Sequence, residues 1–229
     1  MTTALITGFD PFAGADHNPS WDVAEELAAR AADGHLIAQA EHTGLTVDVH
    51  RLPVVHGAAL EALDAAIAAV APDVVLCLGL ADGTDAVRLE RVGLNLRDAR
   101  IPDNAGAQPV DEPIVDGGAP ALFSTLRLKA AHARITAAQI PVQLSLSAGS
   151  FVCNEVLYGL LHRLHGGSAE QQDDDEASAP VRGGFVHVPS LREADCPVSL
   201  QQAVEAVDLL LAASLDDRPD VEHPGGALH

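Results

Sequence analysis

Cys153 follows the run Ser147-Ala-Gly-Ser-Phe-Val152 and precedes a stretch with helical spacing. A sulfur held at a helix N-terminus is favoured as its anion by the positive end of the macrodipole, which is the placement a nucleophilic cysteine needs. Such a nucleophile also requires an imidazole that takes its proton and returns one to a leaving amine, and a third group to orient the ring. Eleven histidines are available, and His187 stands out because it is embedded in the apolar run Phe185-Val-His-Val188. A polar ring in such a run must have a partner, although a hydrogen-bonded core histidine satisfies the same pattern. Glu90, in an alternating apolar and polar segment, is a candidate for the third group, and spacing does not choose it over other acids. Cys77 lies inside Val-Val-Leu-Cys-Leu and reads as a small hydrophobe. Cys196 sits in a polar, proline-flanked segment with no evident base.

Other residues invite chemistry less directly. Gly8-Phe-Asp-Pro-Phe-Ala-Gly14 follows an apolar run, as a phosphate loop would, but it lacks both the Gly-Lys-Ser/Thr ending and the Gly-x-Gly-x-x-Gly spacing. Phe9 and Phe12, two of only five phenylalanines, either wall an apolar pocket or pack in the core. His162 and His165 lie three apart on an expected helix and could share a divalent metal, but no third or fourth ligand is identifiable, and a solvated helix end is the plainer reading. The acidic run 173–176 lacks the register of a calcium loop and reads as solvated charge.

The elements that must position these residues alternate. Residues 4–7 read as a strand and 20–34 as a helix with Ser20 as N-cap; 46–55 read as a strand and 58–70 as a helix. Residues 73–80 are an unbroken apolar run, as in a strand covered on both faces. Extended chain is expected at 87–96, a long surface loop at 102–118, a helix at 120–138, a strand at 142–146, a helix at 154–164, a strand at 185–188 and a helix at 200–215. This order predicts an α/β fold: a single three-layer α/β/α domain over 1–215 with a largely parallel, mixed and twisted sheet, whose ligand sites lie at strand ends. Residues 167–184 read as an acidic mobile loop and 216–229 as a flexible tail.

Composition sets limits. A chain of 229 residues that is 48% hydrophobic supports an ordinary core. Its 33 acidic and 13 basic residues leave a net charge of -20, which repels nucleic acid and anionic lipid. Three widely spaced cysteines give neither a disulfide scaffold nor a thiolate zinc site, and they fit a reducing compartment. With no leader-like N-terminus and no apolar stretch near the ~20 residues of a membrane span, a cytoplasmic protein is expected.

Several blocks, taken in order, resemble one family. They are Gly8-Phe-Asp-Pro-Phe-Ala-Gly14 with Asn18-Pro-Ser20; Glu90-Arg-Val92 with Asn95; Asp98-Ala-Arg-Ile-Pro-Asp-Asn-Ala-Gly106; Ser147-Ala-Gly-Ser-Phe-Val-Cys-Asn154 with Tyr158; and Gly184-Phe-Val-His-Val-Pro189. From residue 4 to about 190 the chain is similar to pyroglutamyl peptidase I (pyrrolidone-carboxylate peptidase), a family of cysteine peptidases that remove N-terminal pyroglutamate. The resemblance implies Cys153 as nucleophile, His187 as general acid/base and Glu90 as the residue orienting the ring. It also implies that Phe9, Phe12, Phe151 and Val152 enclose the pyrrolidone ring, with Arg100 and Ile101 near the reacting carbonyl. Pyroglutamyl peptides would be the partners, the assembly a homotetramer, and neither metal nor organic cofactor is called for. Where the family commonly has Gly-Gln-Ala-x-Gly-Arg, this chain has Gly79-Leu-Ala-Asp-Gly-Thr84. Gly93 replaces a usual alanine, and the stretch from Cys153 to His187 is longer. A catalytically silent binder of pyroglutamyl or other lactam-capped peptides is the alternative, since Leu80 and Thr84 alter the pocket.

Overall fold

The computed structural model describes residues 1–170 and 180–225. In chain order the elements are β1 (Thr2–Phe9), α1 (Pro19–Ala32), α2 (Ile37–Glu41), β2 (Leu45–Leu52), α3 (Ala58–Val70), β3 (Val74–Leu80), β4 (Val87–Glu90) and β5 (Val92–Leu94). They continue as β6 (Ala121–Phe123), α4 (Leu128–Ala137), β7 (Val142–Ser145), α5 (Val152–Glu170), β8 (Arg182–Val188) and α6 (Leu200–Ser214). Six strands form one sheet in the order β2-β1-β3-β8-β4-β7, while β5 and β6 form a separate ribbon. Neighbours in the large sheet are parallel except β4 and β8, which run antiparallel. The mixed α/β architecture expected from the alternating pattern is the one observed.

Both faces of the sheet are covered. Ala4, Ile6, Leu76, Leu78, Val186 and Val188 pack with the apolar sides of α1, α4 and α6, whereas Leu5, Val75, Cys77 and Phe185 pack with α3 and α5. Two covered faces are why 73–80 carries no polar alternation. Burial pushes the Cys77 thiol up to about 12, so this sulfur is inert packing. No helix among the described residues is long and apolar enough to cross a membrane.

Several expectations are corrected. The N-cap of α1 is Asn18, whose Oδ1 accepts from Ser20 N at 3.1 Å, and Pro19 occupies the first turn where its missing N–H costs nothing. Ser20 is buried instead, and its Oγ accepts from Phe9 N at 3.0 Å, tying the end of β1 to the start of α1. The helix expected over 120–138 is a strand, β6, followed by the shorter α4. Its start is fixed by Asp220, whose carboxylate accepts from Lys129 N and Ala130 N at 3.0 and 2.8 Å. The short α2, absent from the sequence reading, is capped in the same manner by Asp208 of α6, which accepts from Ile37 N and Ala38 N. Burial raises the Asp208 carboxyl despite those two bonds. The extended stretch 87–96 breaks at Arg91 into β4 and β5.

Helix α5 begins at Val152 and continues to Glu170, and β8 begins at Arg182, so both ends of the segment read as an acidic loop belong to regular elements. Residues 171–179, including the acidic run 173–176, lie outside the described residues. The start of the expected tail is pinned: Arg127 donates from Nη2 to Pro219 O at 2.8 Å and pairs with Asp216 at 3.1 Å. Residues 226–229 are not among those described.

Candidate active site

Strand alternation and the antiparallel pairing of β4 with β8 bring His187 and Glu90 together. Register places Arg88 opposite His187 and Glu90 opposite Phe185, so Glu90 and His187 are diagonal neighbours on the face toward α3 and α5. His187 Nδ1 lies 2.9 Å from Glu90 Oε1, and both side chains are buried. Arg88, two residues before Glu90 and on the same face, brings Nε to 3.5 Å from Glu90 Oε1 and donates from Nη2 to Ser145 Oγ at 2.8 Å. The Cys153 side chain lies close enough to the same imidazole to influence it. Burial alone would lower the His187 ring, but Cys153 and Glu90 outweigh it and raise the ring to about 9. Phe185 supports the imidazole from the side, with ring centroids 4.8 Å apart.

Cys153 is the second residue of α5 and is half-buried. The adjacent Asn154 fixes this helix start: its Oδ1 accepts from Leu94 N, and its Nδ2 donates to Leu94 O and Leu96 O, all at 2.9 Å. Space for the sulfur comes from Gly79 at the end of β3, where a Cβ would sit 3.0 Å from Cys153 Sγ and 2.7 Å from the Phe185 ring. Gly93 permits a second close approach, since a Cβ there would lie 2.9 Å from Tyr158 Cα of the same helix.

Beside the sulfur is a narrow slot of about 20 Å³, bounded by Phe9, Phe12, Phe151, Val152 and Cys153. Asn18, Val54 and Leu80 complete its walls, and the sequence reading did not include Asn18 and Val54 among them. Val54 follows the end of β2, where nothing local marks it as facing a site. A volume of that size holds roughly one water. Phe12, Leu80 and Phe151 also border a larger outer cleft of about 840 Å³. Arg100 and Ile101 line this cleft and not the slot. Leu80 thus gives an apolar edge to both spaces, while Thr84 turns its Oγ1 back to Ala81 O at 2.8 Å.

The remaining candidates serve local structure. His162 stacks on Tyr158 with ring planes 12° apart, and His165 donates from Nδ1 to Leu161 O at 2.7 Å. Cys196 donates its S–H to Val198 O at 3.3 Å.

The family model for pyroglutamyl peptidase matches residues 2–215. The pyrrolidone-carboxylate peptidase of Erwinia tasmaniensis is 43% identical over 235 aligned residues, covering all of both chains, and that of Cupriavidus necator is 40% identical with the same coverage. Among solved structures, pyroglutamyl peptidase I from Bacillus amyloliquefaciens superposes with a TM-score of 0.84 at 32% identity, over 97% of this chain and 99% of that one. Pyrrolidone carboxyl peptidase from Pyrococcus furiosus gives a TM-score of 0.78 at 33% identity, over 93% and 98% of the two chains.

Proposed function

This chain belongs to the pyroglutamyl peptidase family, cysteine peptidases that release N-terminal pyroglutamate, and from that premise we propose that Cys153, His187 and Glu90 carry the reaction. The supporting observation is one buried imidazole 2.9 Å from Glu90 Oε1, with the Cys153 side chain near enough to raise it and itself lining an apolar slot. With the proton of the Cys153–His187 pair resting on the imidazole, the Cys153 sulfur attacks the carbonyl of the pyroglutamyl residue. Backbone N–H groups at the start of α5 face the developing oxyanion. Collapse of the tetrahedral species breaks the C–N bond as His187 protonates the departing peptide amine, leaving a pyroglutamyl thioester. Water, giving its proton to His187, then hydrolyses the thioester and restores the Cys153–His187 pair.

Selectivity follows from the slot. Phe9, Phe12, Val54 and Phe151 suit a flat, neutral lactam, and none of them can pair with the ammonium of an uncapped peptide. Arg100 and Ile101, in the outer cleft, lie on the side taken by the leaving peptide. We place the whole of residues 1–215 in one peptidase domain, acting in the cytoplasm as a homotetramer on pyroglutamyl peptides. Family resemblance supports the assembly, and the net charge of -20 disfavours nucleic acid and anionic membranes as partners.

Turnover of a pyroglutamyl amide tests the proposal. The wild type should release the amine, and Cys153→Ser should abolish release and stoichiometric alkylation at that site while leaving the circular dichroism spectrum unchanged. Binding of the amide without turnover by wild type would instead establish the silent-binder reading.

A further inference from the structure

Two residues beyond the nucleophile, the mechanism leaves a buried ionic cluster unused. Glu155 is fully buried, with Oε2 2.5 Å from His56 Nδ1 and Oε1 accepting from Arg97 Nη2 at 2.7 Å and from Gly57 N at 2.9 Å. Three donors on one buried carboxylate make a satisfied network, and breaking one arm leaves charge without its partner. The His56 backbone is held as firmly, since its N–H donates to Asp103 Oδ2 at 2.8 Å. Burial acts to raise the Asp103 carboxyl, but backbone N–H groups of His56, Ala107 and Ala105 prevail and hold it below the usual range.

The His56 ring has one further neighbour of consequence. It meets Phe151 edge to face, with centroids 5.2 Å apart and planes at 88°. Its Nε2 is buried with no hydrogen-bond partner among the described residues, so its orientation is set by Glu155 on one side and by ring packing on the other. Phe151 in turn walls the slot beside Cys153. The position of Cys153 itself has a separate anchor in the three Asn154 bonds to Leu94 and Leu96.

We propose that the His56–Glu155 pair is a positioning device for the substrate slot, fixing the Phe151 ring so that it governs lactam binding while Asn154 governs the place of the sulfur. The inference rests on the cysteine-peptidase reading. Phe151 faces the non-reacting ring of the substrate, which it meets alike in ground and transition states. Loosening it therefore raises KM and leaves kcat in place.

The test compares His56→Asn, Glu155→Ala and Glu155→Gln with wild type, all rates expressed per Cys153 titrated by alkylation. His56→Asn keeps a side-chain N–H but removes the ring, and Glu155→Gln keeps the shape and one acceptor oxygen. The expected result is a KM rise of roughly fivefold to tenfold for His56→Asn and Glu155→Ala, with kcat within twofold and Glu155→Gln, which keeps one acceptor oxygen but loses the charge facing Arg97, falling between wild type and Glu155→Ala. The inhibition constant for 2-pyrrolidone, the bare lactam, should rise in step with KM. An unchanged KM and inhibition constant in His56→Asn, or a fall in kcat at constant KM, overturns the proposal. Should Glu155→Ala fail to fold, His56→Asn decides alone. Absence of turnover in the wild type would sink the peptidase reading itself, an outcome visible before any variant is compared.

Discussion

His187 lies diagonal to Glu90 across the antiparallel pairing of β8 with β4, with Nδ1 2.9 Å from Oε1. Because the two strands run in opposite directions, residues 97 positions apart share one face at neighbouring steps of the ladder. The carboxylate then fixes the tautomer of the ring and faces the positive charge that forms on it.

Removing either member should expose this dependence. His187→Ala deletes both proton acceptor and donor and should lower kcat by on the order of 10²–10⁴-fold. Glu90→Gln keeps the shape but loses the charge, so kcat should fall in the same direction, and the melting temperature should drop because the ring loses the carboxylate that raises it. Wild-type kcat in Glu90→Gln would remove Glu90 from the mechanism.

The raised His187 ring makes a pH prediction with a definite sign. The folded ring titrates at about 9 against 6.5 for the free side chain, so its contribution to stability is complete below about 6.5 and disappears as pH climbs through about 9. Melting temperatures of wild type should accordingly fall more steeply from pH 6.5 to 9.5 than those of His187→Gln. Catalysis should decline over the upper part of the same window as the donor to the leaving amine is lost. Parallel melting curves for the two proteins would contradict this.

Gly79→Ala should disable the site without unfolding the protein. A methyl group 2.7 Å from the Phe185 ring and 3.0 Å from Cys153 Sγ forces one or both to shift. Overpacking of this kind costs about 1–3 kcal/mol, and a displaced sulfur should lower kcat/KM by about 10²-fold. Steady-state kinetics beside thermal melting separates the two effects, and unaltered kcat/KM would show that the sulfur has room to spare.

Asp220→Ala tests the remote cap on α4. Loss of the bonds to Lys129 N and Ala130 N should cost about 1 kcal/mol, lowering the melting temperature by roughly 2–4 °C with kcat unchanged. No shift in melting would mean the segment after α6 does not hold the helix.

The legible parts of this molecule are those whose physics is local. The unbroken run at 73–80, the helical spacing at 58–70 and the sulfur beside a helix start were all readable, and the family blocks named His187 and Glu90 as the partners to expect for Cys153. Asn18 was readable too, since Asn before Pro is a cap followed by a favoured first turn. What escaped depends on distant chain. α2 exists because Asp208, 171 positions away, accepts from Ile37 N, and α4 starts late because β5 claims Ala121–Phe123 and Asp220 supplies the cap. The partnership of Glu155 with His56 spans 99 positions, and nothing near either residue announces it.

The sheet is two parallel blocks, β2-β1-β3-β8 and β4-β7, that meet only along β8 and β4. The imidazole belongs to one block and the carboxylate to the other. The proposed His187–Glu90 pair therefore depends on the joining of those two blocks. A slip of one residue along that seam would turn the two side chains to opposite faces and dissolve the pair.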